Sequence, residues 1–146
     1  MTTVNWENYP SATTYLSTEL NSLASSANKL GAAIDNSTNG KRFIDIEISL
    51  AAQSSARSSN ARVDIYVLPS IDGTNFTYGD DSTDPPLNTW LASVSFDATT
   101  TARRNVTRHH DAPAGQFKML VMNETGQAFG ATGNTVKYVL YSEVNE

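Results

Sequence analysis

The residue groups in this chain that could do chemistry are few, and each has a plain alternative. Arg108-His109-His110-Asp111 contains both histidines of the sequence. Neighbours on a strand point to opposite faces, so this pair does not readily chelate one ion, and one histidine with Asp111 makes only two ligands. A polar strand end at a turn is the reading these residues support. Asp45 and Glu47 share a strand face, as a general acid/base pair would, but any half-exposed strand gives the same spacing. The loop Gly79-Asp80-Asp81-Ser82-Thr83-Asp84 offers oxygens suited to calcium without the spacing of a known calcium loop, and reads as solvated. Phe76, Tyr78, Tyr66 and Trp90 are candidates for a sugar-stacking platform of a carbohydrate-binding module, with core packing the role expected of Trp90. Arg103, Arg104 and Arg108 form the densest basic group and read as a solvated strand face.

No Gly-x-Ser-x-Gly elbow and no phosphate-cradling glycine loop is present. An acyl-transfer site would have to draw its base from one of two histidines. The expectation is therefore a protein that is not an enzyme and holds no cofactor or metal.

The elements that would carry these residues are strands. A length of 146 residues suits one domain with a real core. Charged residues make up 17%, and Ser, Thr, Asn and Ala fill the gap, a composition of turns and strand faces rather than long surface helices. The net charge of −5 argues against a nucleic-acid binder. The absence of cysteine excludes disulfides and thiolate metal sites. Residues 1–10 lack a basic start and an apolar stretch, and no run is long enough to span a bilayer as a helix, so a soluble cytoplasmic product with no membrane partner is expected.

The clearest strand is Phe43 to Leu50, where Ile44, Ile46, Ile48 and Leu50 alternate with a mostly polar set. Arg62 to Leu68 follows, with Val63, Ile65 and Val67 facing in and Asp64 and Tyr66 out. Pro69 ends it or places it near an edge, and Ser70 to Asn75 is a turn with Gly73 available for a positive φ. Residues 77–88 read as a long surface excursion. Trp90, Ala92, Val94 and Phe96 alternate in the next strand. Arg103 to His109 reads as an edge or surface strand, Gln116 to Met122 as a central strand covered on both faces, and Val136 to Ser142 as the last. With a short strand at Leu30 to Ile34, this predicts an all-β, antiparallel β-sandwich or jelly roll of about seven to eight strands.

Residues 1–29 differ. Leu16, Leu20 and Leu23 have the spacing of a helical stripe, but the stretch is rich in Ser and Thr and lacks clean caps, so helix and extended arm are both open. Its apolar side is too sparse to fold alone and must dock on its own sandwich or on a neighbour. The expected division is an arm over 1–29 and a sandwich over 30–146. Trp6, Tyr9, Tyr15, Leu16, Leu20 and Leu23 are the arm's candidate partner-binding residues.

Several segments resemble a family of virion structural proteins from tailed bacteriophages. They are Thr18 to Leu23, Ala33 to Ser37, Tyr66-Val67-Leu68-Pro69-Ser70-Ile71-Asp72-Gly73-Thr74-Asn75-Phe76, Asn123 to Ala128, and Ser142-Glu143, in consistent order from Thr18 to the C-terminus. The resemblance implies a small β-sandwich component of the particle, made in the host cytoplasm and located in the virion. It is most simply a capsid decoration (cement) protein, with a tail, neck or fibre accessory as the alternative. The major capsid protein and copies of the chain itself would be its partners, with a trimer matching local three-fold positions. The matching residues are turn and core residues, and they transfer no functional site.

Overall fold

A computed structural model of the chain describes residues 4–6, 8–38 and 40–145. The described residues form eleven strands: β1 (Val4–Trp6), β2 (Thr13–Leu16), β3 (Asn28–Leu30), β4 (Ile34–Asp35), β5 (Phe43–Leu50), β6 (Arg62–Pro69), β7 (Trp90–Ser95), β8 (Arg103–Asp111), β9 (Gln116–Glu124), β10 (Thr135–Tyr141) and β11 (Glu143–Asn145). Two short 3-10 turns, Thr18–Leu20 and Leu87–Thr89, are the only helical pieces among these residues.

The strands build two antiparallel sheets. One runs β2-β10-β5-β8; the other runs β3-β9-β6-β7, with β4 also paired to β9. β1 and β11 form a separate two-stranded ribbon. Period-two alternation turns Ile44, Ile46, Ile48 and Leu50 of β5 inward against Val63, Ile65 and Val67 of β6 and Phe117, Met119 and Val121 of β9, in one continuous core. Each fully buried side chain of this size contributes roughly 1.5–3 kcal/mol. The fold is the β-sandwich that the alternation predicts. The strand count is higher because β1, β2 and β11 are added and the expected first strand is split into β3 and β4. β9 is central and β8 lies at a sheet edge, both as expected.

Four expectations change. First, the stretch from Leu30 to Ile34 is not one strand: β3 and β4 pair separately with β9, interrupted at Gly31. Second, Asp64 and Tyr66 do point away from the core but are buried. The excursion over 77–88 folds back across that face: Asp81 accepts from Lys29 and from the Leu30 N–H, and Asp84 accepts from Asn28. Gly79 packs so tightly there that a Cβ would sit 3.1 Å from both Leu68 and Pro85.

Third, Trp90 is 52% exposed rather than in the core. Ala92 pairs with Ile65 and Trp90 with Tyr66, so Leu91 is an extra residue in β7. One inserted residue reverses the facing of everything before it, which sends Trp90 outward while Leu91 packs against the core.

Fourth, the N-terminal segment is built into the sandwich. β2 adds to β10 with Leu16 opposite Val136. Leu16 and Leu20 are buried in the main core, and Leu23 packs against it. Tyr15 accepts the Met119 N–H at 2.8 Å and donates to the Ala32 carbonyl at 2.8 Å. The sandwich thus starts by Thr13 rather than at residue 30. Among the described residues the segment forms short strands and one 3-10 turn rather than a long helix, and residues 13–23 dock on the chain's own sandwich.

Candidate functional site

The outer face of β5 should be polar by alternation, yet it carries Phe43, and the neighbouring outward positions of β10 are Val139 and Tyr141. These three form a second, smaller apolar cluster. Asp45 lies between them in register, opposite Val139. Its burial is nearly complete, at 3% exposed.

A β-bulge organises the groups around it. Ile44 pairs with His110 and Ile46 with Thr107, so Arg108 and His109 together face Asp45 alone. His109 takes up the extra length with φ of +63°, a left-handed conformation that costs a non-glycine residue of order 1–3 kcal/mol. Its own N–H then points at the Asp45 carboxylate, 2.7 Å from Oδ1. Bulges re-aim side chains, and this one brings Arg108 and His109 to the same outer surface.

The Asp45 carboxylate accepts four hydrogen bonds. Oδ1 receives the His109 N–H and the Tyr141 hydroxyl at 2.9 Å; Oδ2 receives the Tyr9 hydroxyl at 2.6 Å and Arg108 Nε at 2.9 Å. Burial works to raise its pKa, but the bonds from Tyr9, His109, Arg108 and Tyr141 outweigh it and hold the group below the ordinary aspartate value. Burial, then the hydrogen bond to Asp45 and its charge, pushes both the Tyr9 and Tyr141 phenols up to about 12. The hydrogen bond to Asp45, then its charge, raises Arg108 further.

Rings frame the carboxylate. The Tyr9 and Tyr141 centroids are 5.4 Å apart, and the His109 ring stacks on Phe43 at 4.1 Å with 21° between planes. Arg42 lies 5.0 Å above Phe43, and Arg108 lies 5.7 Å from the Tyr9 centroid. Tyr9, Arg108, His109 and Tyr141 line an open bay of about 520 Å³.

The other sequence candidates fall elsewhere. Glu47 shares the Asp45 face but lies 3.9 Å from Arg104, and Asp45 is saturated with donors, so the two are not an acid/base pair. His110 faces the opposite side from His109, with Nε2 2.6 Å from Thr107 Oγ1. Burial lowers its pKa. The acidic loop is held by an internal bond, Asp80 to Ser82, and by the Asp81–Lys29 pair that ties it to β3. Among the described residues no group of three or more His, Cys, Asp or Glu side chains is placed to hold a metal. Tyr66 is buried and Phe76 lies under Lys118, 4.5 Å away, so the aromatic quartet is not one platform; Tyr78 and Trp90 remain exposed.

Of the six candidate partner-binding residues, Leu16 and Leu20 are enclosed in the chain's own core, while Tyr15 and Leu23 pack against it. Tyr9 is exposed and joins Asp45. The Trp6 side chain lies outside the described residues, although its backbone pairs with Glu143. Tyr141 and the bulge were not legible as site features. The signal that was present is Phe43, Val139 and Tyr141 at positions that alternation assigns to solvent.

No family model and no curated protein matches the chain. Among solved structures it is similar to an arabinose-bound α-L-arabinofuranosidase, with 11% identity over 96% of this chain and a TM-score of 0.36. The chain spans 23% of that enzyme's length, and a likeness this loose supports no conclusion about fold or activity.

Proposed function

We propose that the chain is a non-catalytic virion structural protein: a capsid decoration protein that binds the outside of a phage shell, alongside copies of itself, and stabilises it. The observation that carries this reading is the loop after β6, which falls within the most distinctive segment of the family resemblance. Asp72 accepts the N–H groups of Thr74 and Asn75 and the Asn75 side chain, and Ser70 Oγ accepts the Gly73 N–H. Gly73 sits at φ +74°, as the turn requires. At the tip of this self-bonded loop Ile71 is completely exposed.

The bonds within the loop hold Ile71 in water at its tip. It suits a contact with a partner, because little ordering entropy is lost on docking. A protein that binds only the assembled shell stabilises it by mass action, by about 2.7 kcal/mol per site at a free concentration of 100 times Kd. Modest contacts repeated by symmetry are sufficient, and no catalytic group is needed.

The test is to mix the purified chain with shells of its phage that lack it. Co-sedimentation and a raised shell melting temperature are expected, with Ile71→Asp folding normally but binding more weakly. No binding to those shells would contradict the reading.

A further inference from the structure

We propose that the open strip of sheet beside Trp90 is a binding platform for a neutral oligosaccharide. The proposal stands apart from the virion reading and rests on how β7 is laid against β6. The extra residue at Leu91 turns the Trp90 side chain onto the outer face, where more than half of its surface meets water. Among the described residues no ring stacks on this indole and no cation lies over it. Its N–H turns to Ser93 Oγ at 3.4 Å, a long hydrogen bond that keeps the ring beside its own strand.

The groups next to the ring are polar and already ordered. The register sets Trp90 opposite Tyr66, Ser93 opposite Asp64 and Ser95 opposite Arg62, so one face carries them in a row. The excursion over 77–88 covers Tyr66 but leaves Arg62, Ser93 and Ser95 exposed. From Tyr66 to Arg62 the row spans about 13 Å at roughly 3.3 Å per residue, longer than one sugar ring. Ser93 Oγ donates to Asp64, and Arg62 Nε reaches the two Asp64 oxygens at 3.2 and 3.1 Å. The terminal nitrogens of Arg62 have no hydrogen-bond partner among the described residues, and its side chain is 44% exposed.

An open ring face followed by guanidinium N–H groups along a strand suits a short chain of pyranoses. The C–H face of one sugar packs on the indole, and the hydroxyls of the next accept from the Arg62 fork. Because Asp64 holds Arg62 in place, little ordering entropy is lost on binding. Charge decides which sugars fit. Arg62 is paired with Asp64 and lies opposite Glu124 across the β6–β9 ladder, in a chain of net charge −5. A uronate would meet two carboxylates there, so the ligand is uncharged.

The chain has two tryptophans, Trp6 and Trp90, so Trp6→Phe leaves Trp90 as the single indole reporter. Titrating that full-length variant with cellotriose, mannotriose and maltotriose tests the proposal, beside calorimetry of the unsubstituted chain. At least one of the three is expected to give saturable binding, with a shift in fluorescence and protection from acrylamide quenching. Trp90→Ala is expected to melt at nearly the same temperature, since the ring is outside the core, and to bind about tenfold or more weakly. Trigalacturonate is expected to bind more weakly than the neutral sugar by a similar factor. No saturation with any of the three neutral sugars would overturn the proposal, as would equal affinity for trigalacturonate or binding unchanged in Trp90→Ala. A fluorescence shift that follows protein concentration without sugar would show a second copy covering the ring, and would overturn it too.

Discussion

Tyr9 donates its hydroxyl hydrogen to Asp45 Oδ2 at 2.6 Å, across 36 residues of sequence. This bond fastens the segment preceding β2 to the outer face of β5. It also explains how a carboxylate can be buried there, since Tyr141, Arg108 and the His109 N–H occupy its remaining lone pairs. A buried charge is tolerated when it is paired and fully hydrogen-bonded.

Asp45→Ala is therefore expected to destabilise the fold by about 1–3 kcal/mol, because it removes the acceptor shared by Tyr9, Arg108, Tyr141 and the His109 N–H. Urea unfolding midpoints measure this. Glu47→Ala, on the same face but 3.9 Å from its partner, is expected to change stability by less than about 0.5 kcal/mol.

The same cluster sets a pH dependence at both ends. The folded-state pKa of Asp45 is depressed, so its stabilisation is present above the ordinary aspartate value near 3.8 and is lost as pH falls through the lower folded value. Tyr9 and Tyr141 are raised from 10 to about 12, so theirs is present below pH 10 and fades between 10 and 12. Unfolding midpoints from pH 2 to 12 should fall at both extremes. Asp45→Asn should flatten the acid limb and bring tyrosinate absorbance on at lower pH.

Tyr15→Phe isolates a second buried bond. The hydroxyl accepts the Met119 N–H, so its removal orphans a backbone donor beneath β2 at a cost of about 1–3 kcal/mol. The ring stays, so a loss of this size in thermal melting reports the hydrogen bond itself.

Leu20 is entirely enclosed in the core. Leu20→Ala is expected to cost about 2–5 kcal/mol, and deletion through Leu23 to unfold the sandwich. Far-ultraviolet circular dichroism decides: a truncated chain that keeps its strand signal would show that the segment is dispensable to the fold.

Much of the sandwich was legible because β5 and β6 alternate without interruption, and period two identifies an inward face directly. Alternation failed at single inserted residues. Leu91 in β7 sends Trp90 outward, and the Arg108-His109 pair in β8 makes a surface that no two-residue period describes. It also failed where distant chain covers a face, as residues 77–88 do over Tyr66. The site around Asp45 joins positions 9, 45, 108, 109 and 141, which lie far apart in the sequence, so no local pattern shows that they meet. Only Phe43, Val139 and Tyr141, apolar residues at outward positions, signalled that this face was occupied.

A reconstruction of a virus particle that encodes the chain tests the proposed decoration role most directly. Density fitting this sandwich on the outer surface of the shell, with the Ile71 loop against a neighbouring subunit, is the predicted result. A shell surface bare of the sandwich, in particles that contain the chain in the tail or not at all, would contradict it.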